Sequence, residues 1–179
     1  HLSSVLRRTF PLIPALGDYL LQHVDQSYAP HLIDQQSFAE MQAKSVKDPL
    51  TGLNNRIYFE EVFEQQLSLA KRYGTDLSLF FIDIDQFKDI NDRHGHLSGD
   101  RLLQQMGQII AQAKRESDIA IRFGGDEFAI LMPHTGKLIG TVAAERLKNA
   151  IAAATFTNAD EQELTITISG GIASYPMDG

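Results

Sequence analysis

At 179 residues the chain can form one domain of ordinary size with an adjoining segment, and its 43% hydrophobic content is sufficient for a full core. It has no cysteine, which excludes disulfides and thiolate metal sites, and its net charge of −7 disfavours a nucleic acid polymer as ligand. No apolar run approaches the about 20 residues that span a bilayer, and no signal peptide can be read, so we expect a cytoplasmic domain.

The first 47 residues are predicted to be helical but interrupted. Prolines separate two helices, over residues 15–28 and 32–47, and the second helix carries a loose apolar stripe. A packed linker helix and the end of a sensory module both fit this pattern, and the sequence leaves the choice open. Because both ends look cut, we expect the chain to be part of a longer protein, whose membrane anchor, if it has one, would lie in segments absent here.

After a break at Asp48-Pro49, helices alternate with short strands. A turn-rich loop over residues 50–55 leads into a helix that should end near Gly74. The predicted elements that follow are a strand buried on both faces (77–84), a helix capped by Ser98, a hairpin of two strands (119–123 and 128–132), a helix (142–154) and a half-buried strand (164–168). This order predicts an α/β, or α+β, sandwich with helices packed on a mostly antiparallel sheet.

Carboxylates stand at the ends of two predicted strands. Asp83 and Asp85 finish an apolar strand, and Asp126 and Glu127 lie at the hairpin tip. Charged groups are costly to bury unless they are paired or hold a metal, so this pattern indicates a cation, although a lone acid is more often a solvated turn residue. A calcium loop of the EF-hand type counted from Asp83 fails, because Lys88 stands where that loop needs glycine. Magnesium held with substrate phosphates fits better.

Residues beside these acids suit a nucleotide. Gly124-Gly125 allows a tight turn and the close approach of a bulky ligand, and Lys88 can meet a phosphate as a point charge. Asn91, His96 and Asp100 follow on a loop and at a helix start. An amide and a carboxylate together can recognise the edge of guanine, although each residue alone is more often a cap or turn residue.

Three separated motifs, in this order, resemble the GGDEF family. They are residues 48–56 (DPLTGLNNR), residues 83–92 (DIDQFKDIND) with Gly95-His96 and Gly99-Asp100, and residues 122–128 (RFGGDEF), which contain the family signature unaltered; residues 169–173 also resemble its late strand. The resemblance covers residues 48–179 and implies a GGDEF domain preceded by a helical linker or sensory segment. It also implies a palm-like sheet related to the nucleotidyl cyclases, and a diguanylate cyclase that condenses two GTP molecules into cyclic di-GMP.

The resemblance also implies roles for individual residues. Asp83 and Asp126 would bind Mg²⁺ (or Mn²⁺) with the main-chain carbonyl of Ile84, Glu127 would bind a second ion, and Asp126 could also deprotonate the attacking hydroxyl. The residues implied to bind GTP are Asn91 and Asp100 at the guanine, His96 nearby, and Lys88 with the backbone of Gln86 and Phe87 at the phosphates.

Dimerisation and product inhibition are further implications of the resemblance. Each domain would hold one GTP, so catalysis would need a homodimer. Arg115 and Asp118 match the family's Arg-x-x-Asp inhibitory motif, which binds cyclic di-GMP, and Arg146 is a candidate for a second arginine of that site. The family normally continues past the last strand into a helix with a lysine and an arginine that contact phosphates. This chain stops before them, so we expect a domain truncated at its C-terminus.

Two other classes of function remain open. One is a catalytically silent module that binds GTP or cyclic di-GMP in signalling, and the other is an unrelated metal-dependent nucleotidyl transferase such as an adenylyl cyclase. Degenerate relatives usually lose the signature, whereas residues 124–128 are intact here. The sequence therefore favours an active cyclase.

Overall fold

The computed structural model describes residues 46–178. The helix predicted over residues 15–28 lies outside this range, as does the helix predicted over residues 32–47 except for its last two residues. Those two residues are not helical. Val46 is in a turn, and Lys47 forms an antiparallel bridge with Asn54. The predicted helix therefore extends too far, because the chain at this point pairs with the far side of the 48–55 loop.

Helices and strands alternate along the described residues. Four helices and six strands follow one another: α1 (Arg56–Tyr73), β1 (Leu77–Ile84), α2 (Phe87–His94), α3 (His96–Ala113), β2 (Ile119–Arg122), β3 (Glu127–Pro133), α4 (Lys137–Ala153), β4 (Phe156–Thr157), β5 (Glu163–Leu164) and β6 (Ile168–Tyr175). The first helix begins where the Asn55 side chain accepts a hydrogen bond from the Tyr58 amide, and it ends at Gly74, which has a left-handed backbone. The predicted end near Gly74 is confirmed.

Within the described residues, one antiparallel sheet has the strand order β2-β3-β1-β6. The central strand β1 pairs with β3 on one side and with β6 on the other. Asp83 thereby lies opposite Glu127 across one pair and opposite Ser169 across the other. The predicted sandwich with an antiparallel sheet is confirmed, as is the hairpin formed by β2 and β3.

Apolar side chains on both faces of the sheet explain why β1 and β3 read as continuous apolar runs. On β1, Phe80, Ile82 and Ile84 pack into a core with α3 and α4, whereas Leu79 and Phe81 pack towards α1. The alternation follows from the two-residue period of a strand. The prediction of a strand buried on both faces is confirmed for residues 77–82 and 84, whereas Asp83 is exposed.

The structure around α2 and α3 differs from the prediction in two respects. The third helix begins at His96, and Ser98 is not its cap, because the Ser98 hydroxyl instead donates to the carbonyl of His94. Asn91, predicted on a loop, lies on the short helix α2. Gly95 separates the two helices with a φ of 81°, a conformation that glycine adopts without strain.

The fourth helix starts at Lys137, five residues before the predicted start at Val142. The glycine that weakens the helical pattern, Gly140, lies inside the helix. A Cβ atom there would approach the Ser78 hydroxyl oxygen to 3.0 Å and the Ile172 side chain to 2.7 Å. Close packing of α4 on the sheet therefore requires glycine at a position that local rules treat as a helix breaker.

The strand predicted over residues 164–168 is divided. Its first residue belongs to β5, which pairs with β4, and its last residue begins β6. Between them Ile166 is buried, and the Thr167 carbonyl accepts a hydrogen bond from the Asp85 amide. The chain changes from one sheet to the other at this point. None of the described helices is long and apolar enough to cross a membrane.

Adjacent glycines on β6 provide a test of this packing. A Cβ at Gly170 would lie 2.7 Å from the carbonyl oxygen of Phe81, whereas a Cβ at Gly171 would meet nothing within 4 Å. Backbone atoms cannot move aside cheaply, so Gly170→Ala should lower the free energy of unfolding by about 1–3 kcal/mol. Gly171→Ala, the matched control, should leave it unchanged or raise it by about 0.4–1 kcal/mol. Urea denaturation of both variants measures the difference, and equal stability would contradict the described β1–β6 contact.

Candidate active site

The acidic residues predicted at two strand ends are neighbours in the structure. Asp83 lies directly opposite Glu127 in the β1–β3 pair, and the Ile84 amide donates to the carbonyl of Asp126 at 3.4 Å. The Asp83 side chain is exposed, while Asp126 and Glu127 are half-buried. The antiparallel register thus places the end of β1 beside the tip of the β2–β3 hairpin. Sequence reasoning predicted both groups of acids, and the strand pairing brings them together.

Aromatic side chains pack against the hairpin tip, and backbone hydrogen bonds within the tip close its turn. Phe123 makes edge-to-face contacts with Phe59 and Phe81, at centroid distances of 5.3 and 5.1 Å. The amides of Phe123 and Gly124 both donate to the carbonyl of Glu127, at 2.8 and 3.3 Å. A Cβ at Gly124 would overlap the Glu127 carboxylate. Glycine at position 124 therefore leaves room for that carboxylate along the turn.

These groups fit a hard divalent cation that is completed by substrate oxygens. Asp83, Asp126, Glu127 and the carbonyl of Ile84 offer oxygen ligands alone, which magnesium and manganese prefer. In residues 46–178 no three acidic or histidine side chains form a ready-made metal cluster. Magnesium is usually held in proteins by one or two carboxylates together with substrate phosphates.

Arg122 connects the hairpin tip to the 48–55 loop. Its guanidinium donates to the carbonyl of Gly125 from Nη2 at 2.8 Å, and from Nη1 to both carboxylate oxygens of Asp48 at 3.2 and 3.1 Å. The same Asp48 carboxylate accepts from the amide and hydroxyl of Thr51, at 2.8 and 2.7 Å. Sequence reasoning gave neither Arg122 nor Asp48 a role. The signal was present in two of the motifs, but nothing local linked residues that lie 74 positions apart.

This network changes the acidity of Asp48. Partial burial raises the pKa of the Asp48 carboxyl, but the hydrogen bonds from Thr51 and the charged Arg122 outweigh burial and hold the pKa below its usual value of 3.8. The ionised form is therefore the one that the folded protein stabilises.

The loop after β1 is fixed by hydroxyl groups on the β6 side. The Thr167 and Ser169 hydroxyls each donate to the Asp85 carboxylate at 2.6 Å, and these hydrogen bonds, with that of Ser169 the largest, lower the Asp85 pKa. Gln86 then adopts a φ of 57° at the position immediately before α2. Asp85 was predicted as part of the acidic group. In the structure its carboxylate shapes the loop that leads to Lys88 and Phe87.

The residues predicted to bind the base are brought together where α2 meets α3. Asn91 lies on α2, and His96 and Asp100 lie in the first turns of α3. A Cβ on Gly99 would overlap the Asn91 side chain and lie 3.1 Å from the Phe87 ring, so the two helices touch at this point. Of the predicted phosphate-binding residues, Lys88 is exposed and Phe87 is half-buried against the core.

The predicted inhibitory residues lie away from the acids, around the end of α3. Asp118 is 5% exposed, and its carboxylate accepts the Arg115 amide at 2.9 Å, so it shapes the turn that displays the exposed Arg115 side chain. The Arg146 guanidinium donates to the carbonyl of Ala113 at 2.9 Å. Asp118, Arg146 and Lys114 line one shallow pocket between α3 and α4. Sequence reasoning did not identify Lys114.

The antiparallel sheet flanked by helices is a palm-like fold of the kind found in nucleotidyl cyclases. The sequence model described as "Diguanylate cyclase, GGDEF domain" matches residues 45–179. Since this is most of the chain, the chain belongs to the GGDEF family.

Relatives and a solved structure support this membership. The chain is 41% identical to the diguanylate cyclase DgcP of Pseudomonas aeruginosa over 84% of its own length and 21% of that protein. It is 40% identical to the cyclic di-GMP phosphodiesterase NbdA of the same species, over 74% of this chain and 17% of that protein. The GGDEF domain of DgcB from Caulobacter crescentus, solved in complex with c-di-GMP, is 29% identical with a TM-score of 0.69, covering 73% of this chain and 75% of that one. The chain thus spans about a fifth of the curated relatives named here.

The Asp48–Arg122 contact predicts a pH-dependent stability. Asp48→Asn keeps an acceptor for Thr51 but removes the ion pair, and should lower the free energy of unfolding by about 1–2 kcal/mol at pH 7. Because the folded-state pKa is depressed, the stabilisation is complete above the ordinary pKa of 3.8 and is lost as pH falls through the folded-state value.

Chemical denaturation of wild type and variant between pH 3 and pH 7 tests this expectation. The difference in unfolding free energy should shrink below about pH 4. Glu64→Gln, on the exposed side of α1, is a control that should show no such difference. A constant difference across the range would mean that the amide disturbs packing and that the charge contributes nothing.

Proposed function

We propose that this domain is a diguanylate cyclase, which condenses two GTP molecules into cyclic di-GMP and releases pyrophosphate. The observation that supports this most is the register of β1 and β3, which places Asp83 beside an intact Gly124–Glu127 tip in a chain that belongs to the GGDEF family. Naming of the relative DgcP as a diguanylate cyclase supports the same activity.

In the proposed reaction, Asp83, Asp126, Glu127 and the Ile84 carbonyl would hold Mg²⁺ or Mn²⁺. The bound ion would supply charge stabilisation for the phosphoryl oxygens. The 3′-oxygen of one GTP bonds to the α-phosphorus of the other, the bond from that phosphorus to the pyrophosphate oxygen breaks, and Asp126 accepts the hydroxyl proton. Cyclisation repeats this step with the two nucleotides exchanging roles.

Other residues of the chain position the nucleotide. Lys88 and the backbone at Gln86 and Phe87 would bind the phosphates, next to a loop that Asp85 already fixes. Asn91 and Asp100 would hydrogen-bond the guanine edge, with His96 nearby. Holding two reactants in line replaces a bimolecular encounter by a positioned step, which can supply much of the rate enhancement.

The same proposal requires two domains. Each site would bind one GTP, so a homodimer would bring the two 3′-hydroxyls and α-phosphates face to face. The proposed partners are therefore GTP, a second copy of the domain, and cyclic di-GMP as product.

Product inhibition forms a separate part of the proposal. Arg115, Asp118 and Arg146 lie around one end of α3, apart from the acidic residues, and the turn closed by Asp118 displays Arg115 to solvent. An arginine fork suits both a phosphate and the Hoogsteen edge of guanine. The solved complex of the DgcB GGDEF domain with c-di-GMP supports ligand binding by this kind of domain.

A silent signalling module is the alternative function. The relative NbdA is named as a phosphodiesterase, so a protein with a similar domain can carry another activity. The intact acids and glycines of the hairpin tip favour the cyclase here.

The cyclase proposal predicts the effect of removing one charge at a time. Asp126→Asn and Glu127→Gln keep the shape of the side chain and delete a metal-binding charge, so each should abolish GTP condensation while the melting temperature stays unchanged. Glu61→Gln, at an exposed position on α1, is the control and should retain wild-type turnover. Pyrophosphate release and product chromatography, with the parent protein or the domain as a dimer, measure the reaction. Turnover by both variants would refute the metal-binding assignment.

Product inhibition by cyclic di-GMP should be separable from the condensation of GTP. Arg115→Ala is expected to abolish tight cyclic di-GMP binding and to raise product accumulation by the full-length protein, with little change in the Michaelis constant for GTP. Arg72→Ala, near the end of α1, is an arginine control outside this region. Calorimetric titration with cyclic di-GMP tests the claim directly. Equal affinity in wild type and Arg115→Ala would show that residues 115–118 form only a surface turn.

A further inference from the structure

A hairpin formed by β4 and β5 is fastened to the helices that carry the proposed base-binding residues. Gln105 on α3 holds it with both ends of its amide, since Nε2 donates to the Thr157 hydroxyl at 3.0 Å and Oε1 accepts the Thr157 amide at 3.1 Å. Gln105 is therefore one point at which the hairpin is attached to α3, and the connecting loop, residues 158–162, reaches back towards the junction of α2 and α3.

Asn158 organises that loop. It is 1% exposed, and its side-chain oxygen accepts the amides of Asp160 and Gln162 at 3.0 and 2.8 Å. Its side-chain nitrogen donates to the Gln162 side chain at 3.1 Å and lies 3.5 Å from Nδ1 of His94, the last residue of α2. A buried, fully used amide of this kind gives the loop one defined conformation.

Ser98 is the point at which loop, α2 and α3 meet. Its side chain is fully buried, its hydroxyl donates to the His94 carbonyl at 2.7 Å, and the same oxygen accepts the Ala159 amide at 3.2 Å. One hydroxyl thus joins the end of α2, the first turn of α3 and the β4–β5 loop. Only Gly95 separates the two helices, so these hydrogen bonds help to set the angle between α2 and α3.

The proposed base-binding residues lie within one helical turn of the two residues that the Ser98–His94 hydrogen bond joins. Asn91 precedes His94 by three residues on α2, and Asp100 follows Ser98 by two residues on α3. The helices touch where Gly99 meets Asn91, so a change in the interhelical angle would move Asn91 relative to Asp100. Recognition of a base edge by two side chains depends on such relative placement to within fractions of an ångström.

We propose that Ser98, supported by the Asn158 loop, is a positioning residue that sets the spacing of Asn91 and Asp100 and thereby the selectivity for guanine. This inference rests on the proposed function, in which those two residues bind the base. Ser98 itself does not touch the nucleotide. Removing the Ser98 hydroxyl should therefore weaken discrimination between bases. It should lower the stability of the fold no more than removing another buried hydroxyl does.

The chain offers a matched control in Ser78. It is also fully buried, its hydroxyl donates to the Thr135 carbonyl at 2.7 Å, and it has a second partner in Ser174 at 2.6 Å. Ser78 lies near the opposite end of β1 from Asp83. Ser98→Ala and Ser78→Ala therefore remove comparable hydroxyls, one at the helix junction and one remote from it.

The experiment measures binding, so it does not depend on turnover. Calorimetry with magnesium gives dissociation constants for α,β-methylene analogues of GTP and of inosine triphosphate, which lacks the 2-amino group. Ser98→Ala should reduce the preference for the guanosine analogue by about threefold or more, while Ser78→Ala keeps the wild-type preference. Asp100→Ala is the reference variant in which the preference should be lost. Thermal melting should show similar losses of stability for both serine variants.

The results test two claims separately: that the domain recognises guanine, and that Ser98 positions the residues that do so. If wild type shows no preference for the guanosine analogue, the proposed base recognition fails and the positioning role fails with it. If wild type discriminates but Ser98→Ala behaves as Ser78→Ala does, only the positioning role is overturned. Should Ser98→Ala not fold, Gln105→Ala decides, because it removes both Gln105–Thr157 hydrogen bonds and so weakens the attachment of the hairpin whose loop bonds to Ser98. Wild-type preference in that variant would also overturn the role.

Discussion

The register of the central strand is the constraint on which both core and site depend. In β1 the even-numbered residues Phe80, Ile82 and Ile84 face α3 and α4, while Leu79 and Phe81 face α1. A slip of one residue against β3 would turn each of these side chains to the opposite face, so burial of apolar surface fixes the pairing. That pairing also sets Asp83 opposite Glu127. The acids of the site carry like charges and do not attract one another. Burial of apolar surface in the core therefore positions them.

The elements predicted correctly are those whose signal is local. Strand β1 is a run of apolar residues bounded by Asp76 and Asp85, and the β2–β3 hairpin is marked by Gly124-Gly125 between two such runs. The errors lie where distant contacts override a local rule. Serine is a residue type that favours helix caps. The Ser98 hydroxyl nevertheless hydrogen-bonds to His94 and to residue 159, which is distant in the sequence. Local propensity cannot register such partners.

Within the candidate site the same distinction applies. The acids at strand ends could be predicted because each lies at the end of an apolar run that the sequence alone identifies as a strand. The functions of Arg122 and Asp85 could not, because their partners lie 74 positions away in one case and 82 and 84 in the other. Both residues were visible in the motifs, but only the folded chain shows that one fastens the hairpin tip to Asp48 and the other fastens the β1 loop to β6.

The α2–α3 junction and the strand ends that carry the acids differ in how well their side chains are ordered by contacts within the protein. Around the α2–α3 junction the polar side chains Ser98 and Asn158 are buried and hydrogen-bonded, so the surfaces that carry Asn91 and Asp100 are held before any ligand arrives. At the strand ends Asp83 is exposed, and the acids form no closed cluster within the described residues. In the proposed reaction, the base is therefore recognised by a preformed surface, whereas the phosphates complete the cation site. A nucleotide with the wrong base would then place its phosphates poorly, so in the proposed reaction completion of the cation site would depend on recognition of the base.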